Sequence, residues 1–172
     1  MTKEEQISLA EYNPHWPEKF AEEKRLIKQT LDTWVWGGIE HVGSTAIENM
    51  IAKPVIDIMV GVKNLQEAKA CIPILEKIGY LYAPYKSDRM HWFCKPSLEH
   101  REYHLYLIEP THSEWKGRIA FRDYVKKHPN TAQEYVSLKK DLAIKFKDDR
   151  EAYTEGKADF IQTVVEKALK QN

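Results

Sequence analysis

The stretch His41-Val42-Gly43-Ser44-Thr45-Ala46, followed shortly by Lys53-Pro54-Val55-Ile56-Asp57-Ile58, constrains this chain more than any other. Ile39 to Val42 is β-prone, Gly43-Ser44 is a small-residue turn able to bring backbone N–H groups close to an anion, and Val55 to Val62 is an apolar strand pattern. The spacing predicts strand, tight turn, short helix, strand. Ser44 and Thr45 suit the N-cap of that helix, where the dipole also favours an anion. One acid, Asp57, interrupts the apolar run. A buried carboxylate needs a cation, a set of donors or a metal beside it, and Lys53, His41 and Arg89 are the cations the sequence offers as purely structural partners.

A chain of 172 residues suits one domain, 1–172, with a sheet-containing half over about 1–110 and a helical half over about 111–172. Lys plus Arg equals Asp plus Glu, 26 each, which argues against neutralisation of a nucleic-acid backbone as the main task. No segment has the uninterrupted apolar length of a membrane span. Met1 to Gln6 is charged and lacks an apolar signal region, an expectation of the cytoplasm. Cys71 and Cys94 have no metal-ligand spacing and read as small core residues.

Along the chain, Asn13-Pro14-His15-Trp16-Pro17 launches a helix over 17–34 carrying Phe20, Leu26, Ile27 and Leu31 on an apolar stripe, with Gly37-Gly38 ending it. Asn64 is a cap for a helix through Ile78 with Gly79 as its stop, and Pro73 is expected to kink or split that helix. Arg89 to Lys95 and Glu102 to Glu109 read as an antiparallel hairpin. Beyond Pro110, helices are predicted over 113–127, 130–146 and 150–170, capped at Ser113 and Asn130.

With these motifs in place, His41-Val42-Gly43-Ser44-Thr45-Ala46 and Ala52-Lys53-Pro54-Val55-Ile56-Asp57-Ile58 resemble the signature of the GrpB family, as do Arg89 to Phe93, His104-Leu105-Tyr106, Phe121-Arg122-Asp123-Tyr124, Asp149 to Tyr153 and Lys157. The resemblance runs from Tyr12 to Phe160. It implies an α+β, nucleotidyltransferase-like fold: a small mixed β-sheet with helices packed on it and a C-terminal helical lobe. In that superfamily a Gly-Ser turn positions a nucleoside triphosphate and carboxylates on adjacent strands hold magnesium. Glu48-Asn49-Met50 departs from the family's usual Pro-Gly-Leu, and Asn49 is able to keep the turn because it tolerates a left-handed backbone.

The superfamily's paired acids alternate on one strand so that both face the same way. Here the second position is Met59, a thioether that cannot stand in for a carboxylate on magnesium. Asp57 is then the one clear acid, with Glu102 and Glu109 as substitutes and His104 and Tyr106 on the neighbouring strand. Asp57 and His104 are the catalytic candidates; Asp57, His41, His104 and Glu102 are candidate ligands for a divalent metal, magnesium or a transition metal. Gly43, Ser44, Thr45, Lys53, Arg89, Arg101 and Lys157 are the candidate phosphate or nucleotide contacts. His41, His91 and His104 lie on three predicted strands and either converge on a transition metal or are satisfied by hydrogen bonds. Three readings follow: a nucleotidyltransferase-like enzyme, a non-catalytic module binding a nucleotide, coenzyme or other phosphorylated small molecule, and a histidine-cluster metal-dependent hydrolase or transferase.

Overall fold

The computed structural model describes residues 6–171; Met1 to Glu5, most of the charged N-terminal segment read above, lie outside them. Five strands form one mixed sheet in the order β1-β2-β5-β4-β3. They are β1 (Ile39–Val42), β2 (Ile56–Gly61), β3 (Leu81–Tyr82), β4 (His91–Pro96) and β5 (Arg101–Ile108). β2 and β5 are parallel, and the β1/β2, β3/β4 and β4/β5 pairs are antiparallel, so the predicted hairpin is present. Side-chain alternation divides the sheet. Ile56, Ile58, Val60, Leu105 and Leu107 enter the core beneath helix α1 (Trp16–Leu31), whereas Met59, Trp92, Cys94, Tyr106 and Ile108 pack on the opposite face. Cys71 and Cys94 are buried free thiols, as the sequence suggests.

α1 buries Trp16, Ile27 and Leu31 and also one acid, Glu23. Glu23 Oε1 accepts from Tyr80 Oη at 2.9 Å and from Lys95 Nζ at 2.5 Å, and Lys95 lies over the Tyr80 and Tyr103 rings. This pair clamps α1 to β4 through an otherwise apolar layer.

Local sequence explains where the helices break. The first predicted helix stops at Leu31, because Asp32 takes a positive φ of 40° and a single 3-10 turn follows. Asn64 Oδ1 does cap the next segment by accepting from Glu67 N–H. Pro73 splits that segment into a 3-10 stretch, Glu67–Cys71, and α2 (Ile72–Glu76), since proline lacks an N–H and fits only the first turn of a helix. α3 (Ser113–Lys127) is capped by His112 Nδ1, which accepts from Glu114 N–H, so Ser113 is already inside the helix. α4 (Pro129–Lys145) begins on its proline and leaves Asn130 inside the first turn. The last predicted helix is two, α5 (Arg150–Glu155) and α6 (Ala158–Lys170), separated at Gly156.

The helical half docks on β1 and the turn after it. Arg122 on α3 donates to Glu40 Oε2 at 2.7 Å and to the His41 carbonyl at 2.9 Å. Ile47 and Met50 pack among Phe121, Val125, Tyr135 and Val164. Among the described residues no helix is long and apolar enough to cross a membrane.

Replacing Glu23 by Ala leaves Lys95 buried without its carboxylate and is expected to cost about 3–5 kcal/mol in urea unfolding. The double change Glu23→Leu with Lys95→Met is expected to recover most of that loss, because it removes both charges together.

Candidate functional site

β1 ends its pairing with β2 at Val42, which faces Asp57 across the ladder, and Gly43 follows immediately. Gly43 has φ 74°, and a Cβ there would run into the Asp57 carboxylate, so the turn closes against this acid only because the residue is glycine. Across the parallel ladder Asp57 faces His104. Asp57 Oδ1 accepts from His104 Nδ1 at 3.1 Å and from Tyr106 Oη at 3.0 Å. Burial by itself would push the Asp57 carboxyl up; the hydrogen bond from His104 and its electrostatic attraction, the Arg118 charge and the Tyr106 hydroxyl outweigh it and hold the group below its ordinary value. His104 is depressed, chiefly by burial and against the pull of Asp57. An ionised Asp57 therefore faces a neutral imidazole whose Nδ1 carries the proton.

Around this acid the fold gathers cations on aromatic rings. Lys53 and Lys157 lie over the Tyr153 ring at 5.1 and 4.4 Å, Lys139 over Tyr135 at 4.6 Å, Arg118 over Tyr106 at 4.4 Å and Arg101 over Trp92 at 5.2 Å. Lys139, on α4, is only 1% exposed. Its Nζ donates to Ser44 Oγ at 3.0 Å and to the Ile51 carbonyl, and the Tyr135 hydroxyl also bonds Ser44. Burial and the charge of Lys157 lower Lys139 to about 7. Burial, Lys157 and Arg150 lower Lys53 to about 7 against the attraction of Asp57, and burial lowers Lys157 to about 8. The cleft thus holds more positive charge than Asp57 balances.

Several predicted site residues meet here: Gly43, Ser44, Lys53, Asp57, Arg101, His104 and Lys157. Others do not. His41 lies on the α1 face, stacked on Phe20 at 4.7 Å, because alternation puts it opposite Ile58 and on the side away from Asp57. Its Nε2 lies 3.0 Å from Thr45 Oγ1, whose single proton goes to the Val55 carbonyl, so His41 Nε2–H is the donor. Thr45 is spent in this clamp and is 1% exposed. The predicted short helix after Gly43 is a single 3-10 turn, Ser44–Ala46, too short for a helix-dipole site; Asn49 does take the left-handed backbone, φ 62°.

Glu102 is turned away by a bulge. Lys95 faces Tyr103 and Pro96 faces Arg101, leaving Glu102 as the extra residue, and its carboxylate reaches Lys19 on α1 at 3.6 Å. Arg89 pairs with Asp88 and Glu114. His91 shares its face with Phe93 beneath α1 and meets the Leu65 carbonyl at 2.7 Å, so the three histidines do not converge. No group of three or more His, Cys, Asp or Glu among the described residues is placed to hold a metal. With Met59 fully buried where a second acid would stand, the donor set does not fit a two-magnesium centre. Two hollows, of about 610 and 940 Å³, lie elsewhere, one beside Leu65, His91 and Glu109 and one between Asn49 and α4.

Arg118, Tyr135 and Lys139 belong to no sequence motif. The signal they do carry is helical position: Lys139 falls between Tyr135 and Leu142 on the buried stripe of α4, and Arg118 stands one turn before Phe121 on α3. A cation on an apolar stripe needs a reason to be there. The Gly43 geometry is testable by comparison with Gly38, whose φ is 93° but whose Cβ would meet nothing within 4 Å. Gly38→Ala is expected to carry backbone strain of about 1–3 kcal/mol; Gly43→Ala is expected to cost more in urea unfolding, because it must also displace Asp57.

Comparison with known proteins agrees with this fold. The chain is 32% identical to the UPF0157 protein YqkA of Bacillus subtilis over 94% of its length, although it spans only 47% of that relative. It is 33% identical to the glutamate-rich protein GrpB of Alkalihalophilus pseudofirmus, covering 93% of this chain and 94% of that one. The crystal structure of the conserved protein GrpB from Enterococcus faecalis superposes with a TM-score of 0.86 at 32% identity, covering 95% of this chain and 98% of that one. A profile of the GrpB protein family matches residues 6–167, and the chain belongs to the GrpB family.

Proposed function

We propose that the chain binds a nucleotide or other phosphorylated small molecule in the cleft formed by the Gly43-Ser44 turn, Asp57 and Lys53, Lys139 and Lys157. The observation that carries this reading is the clustering of three depressed lysines, Lys53 and Lys157 beside an Asp57 that already takes two protein donors and Lys139 on Ser44 of the adjoining turn. Such a cluster is held against its own repulsion, and an anionic ligand relieves it. Phosphoryl oxygens suit point-charge lysines and the forked guanidinium groups of Arg101 and Arg118. The nucleotide half of the reading comes from the superfamily likeness alone. Nucleotidyl transfer at the same place is the second reading, favoured by an ionised Asp57 beside the turn; steady release of pyrophosphate from a nucleoside triphosphate would establish it.

Calorimetry with pyrophosphate and each of the four ribonucleoside triphosphates, with and without magnesium, tests the proposal. Binding is expected, and it strengthens as pH falls through the range from about 8 to about 7, where Lys157, Lys53 and Lys139 take up protons. Lys157→Met is expected to weaken it on the order of tenfold or more, the scale of a lost hydrogen bond to a charged group. No heat with any of these ligands would contradict the reading.

Stability without ligand carries the same signature. Lysines depressed from 10.5 to about 7 or 8 bind fewer protons folded than unfolded, so thermal stability should rise with pH from about 7 toward 10.5. Saturating pyrophosphate should flatten that rise, because it draws the folded-state values back up.

A further inference from the structure

The proposed anion site has one group that an anion alone does not satisfy. Every charged side chain directed at it apart from Asp57 is a donor: Lys53, Lys139, Lys157, Arg101 and Arg118. Asp57 Oδ1 takes two protein donors, and a carboxylate oxygen can only accept, so His104 Nδ1 must carry its proton. The second ring nitrogen, Nε2, is then a bare lone pair. It is buried and has no hydrogen-bond partner among the described residues. In the neutral ring the tautomer is enforced from the Asp57 side, and burial, together with the Lys53 and Arg101 charges, opposes a second proton on Nε2. An unpaired buried acceptor costs free energy comparable to a lost hydrogen bond. Beside these donors, a buried acceptor without a partner is a feature that distinguishes ligands of equal charge.

We infer that the ligand carries, beside its phosphoryl group, a hydroxyl or amino hydrogen-bond donor, and that His104 Nε2 accepts it and so determines specificity. The inference rests on the anion-binding reading above. The side chains whose charges reach the ring, Lys53 and Arg101, stand on long flexible stems. A phosphoryl group drawing those two cations toward itself brings the adjoining part of the molecule to the imidazole. Sites built to pair a ligand hydroxyl reject the analogue lacking it, because the protein group is then left unsatisfied. Propyl phosphate, whose dianion has no hydroxyl to offer, is the ligand that leaves Nε2 unpaired.

The test compares inorganic phosphate, propyl phosphate, glycerol 3-phosphate and ribose 5-phosphate by calorimetry on the full chain. The wild type is expected to bind glycerol 3-phosphate or ribose 5-phosphate at least about tenfold more tightly than propyl phosphate, the scale of one satisfied buried acceptor. His104→Asn retains an amide donor toward Asp57 but removes the Nε2 acceptor, and should bring that ratio to near one; because the readout is a ratio, a uniform change in phosphate affinity cancels. His104→Gln, which carries a carbonyl near the Nε2 position, should restore part of the preference. Nitrogen-15 NMR of the wild-type histidines gives a readout independent of any variant's folding: His104 should show Nδ1 protonated and Nε2 bare, with Nε2 shifting on addition of the hydroxylated phosphate but not of propyl phosphate. Phosphate binding with no preference for the hydroxylated ligands, a preference that survives in His104→Asn, or a protonated Nε2 in the free protein would each overturn the inference. Failure of the wild type to bind any of the four would instead remove the anion reading on which it stands.

Discussion

Lys53, Lys139 and Lys157 are brought together from a loop, a helix and a helix junction, all wholly or largely removed from water, two of them beside Asp57 and the third on Ser44. Like charges so placed repel, and burial adds a desolvation penalty to each. What makes the arrangement tolerable is aromatic backing: Tyr153 serves two of the ammonium groups, and Tyr135 the third. Much of the helical half follows from this requirement. α4 must present Lys139 to Ser44, α5 must bury Tyr153, and the α5/α6 break sets Lys157 over that ring.

Asp57 is the fixed point of the sheet side. Its backbone partner on β5 is His104, and its second donor, Tyr106, lies two residues further along the same strand, so parallel register alone places both side chains on its face. Gly43 then closes the turn against the carboxylate. Two positions along β2 from Asp57 stands Met59, sealed in the core beside Trp92 and Tyr106. The candidate site therefore combines a wall of cations with a hydrogen-bonded carboxylate and imidazole pair, and among the described residues it lacks the carboxylate set that would hold paired magnesium ions.

Much of this was legible in the sequence where the signal is local. Asn64, Pro73 and Gly79 act by short-range chemistry, a cap, a missing N–H and a positive φ, and each lies where the sequence puts it. Gly43, Ser44, Lys53, Asp57 and Lys157 are likewise at the site. The residues that fall away from this cleft depend on long-range geometry. His41 differs from its neighbours only in which face of β1 it takes, and Glu102 is diverted by a bulge whose cause lies in the pairing of β4 with β5. Arg118 and Lys139 become site residues only when α3 and α4 dock on the sheet. Their one sequence trace is a cation on an otherwise apolar helical stripe, which reads equally as a solvated edge.

The protonation of the three lysines is the most direct measure of whether the cleft is built for an anion. In side-chain NMR of the free protein, followed over pH, Lys53 and Lys139 should titrate at about 7 and Lys157 at about 8, and all three should move upward when pyrophosphate is added. Titration of all three at the ordinary lysine value of 10.5, unchanged by pyrophosphate, would contradict a buried cationic site.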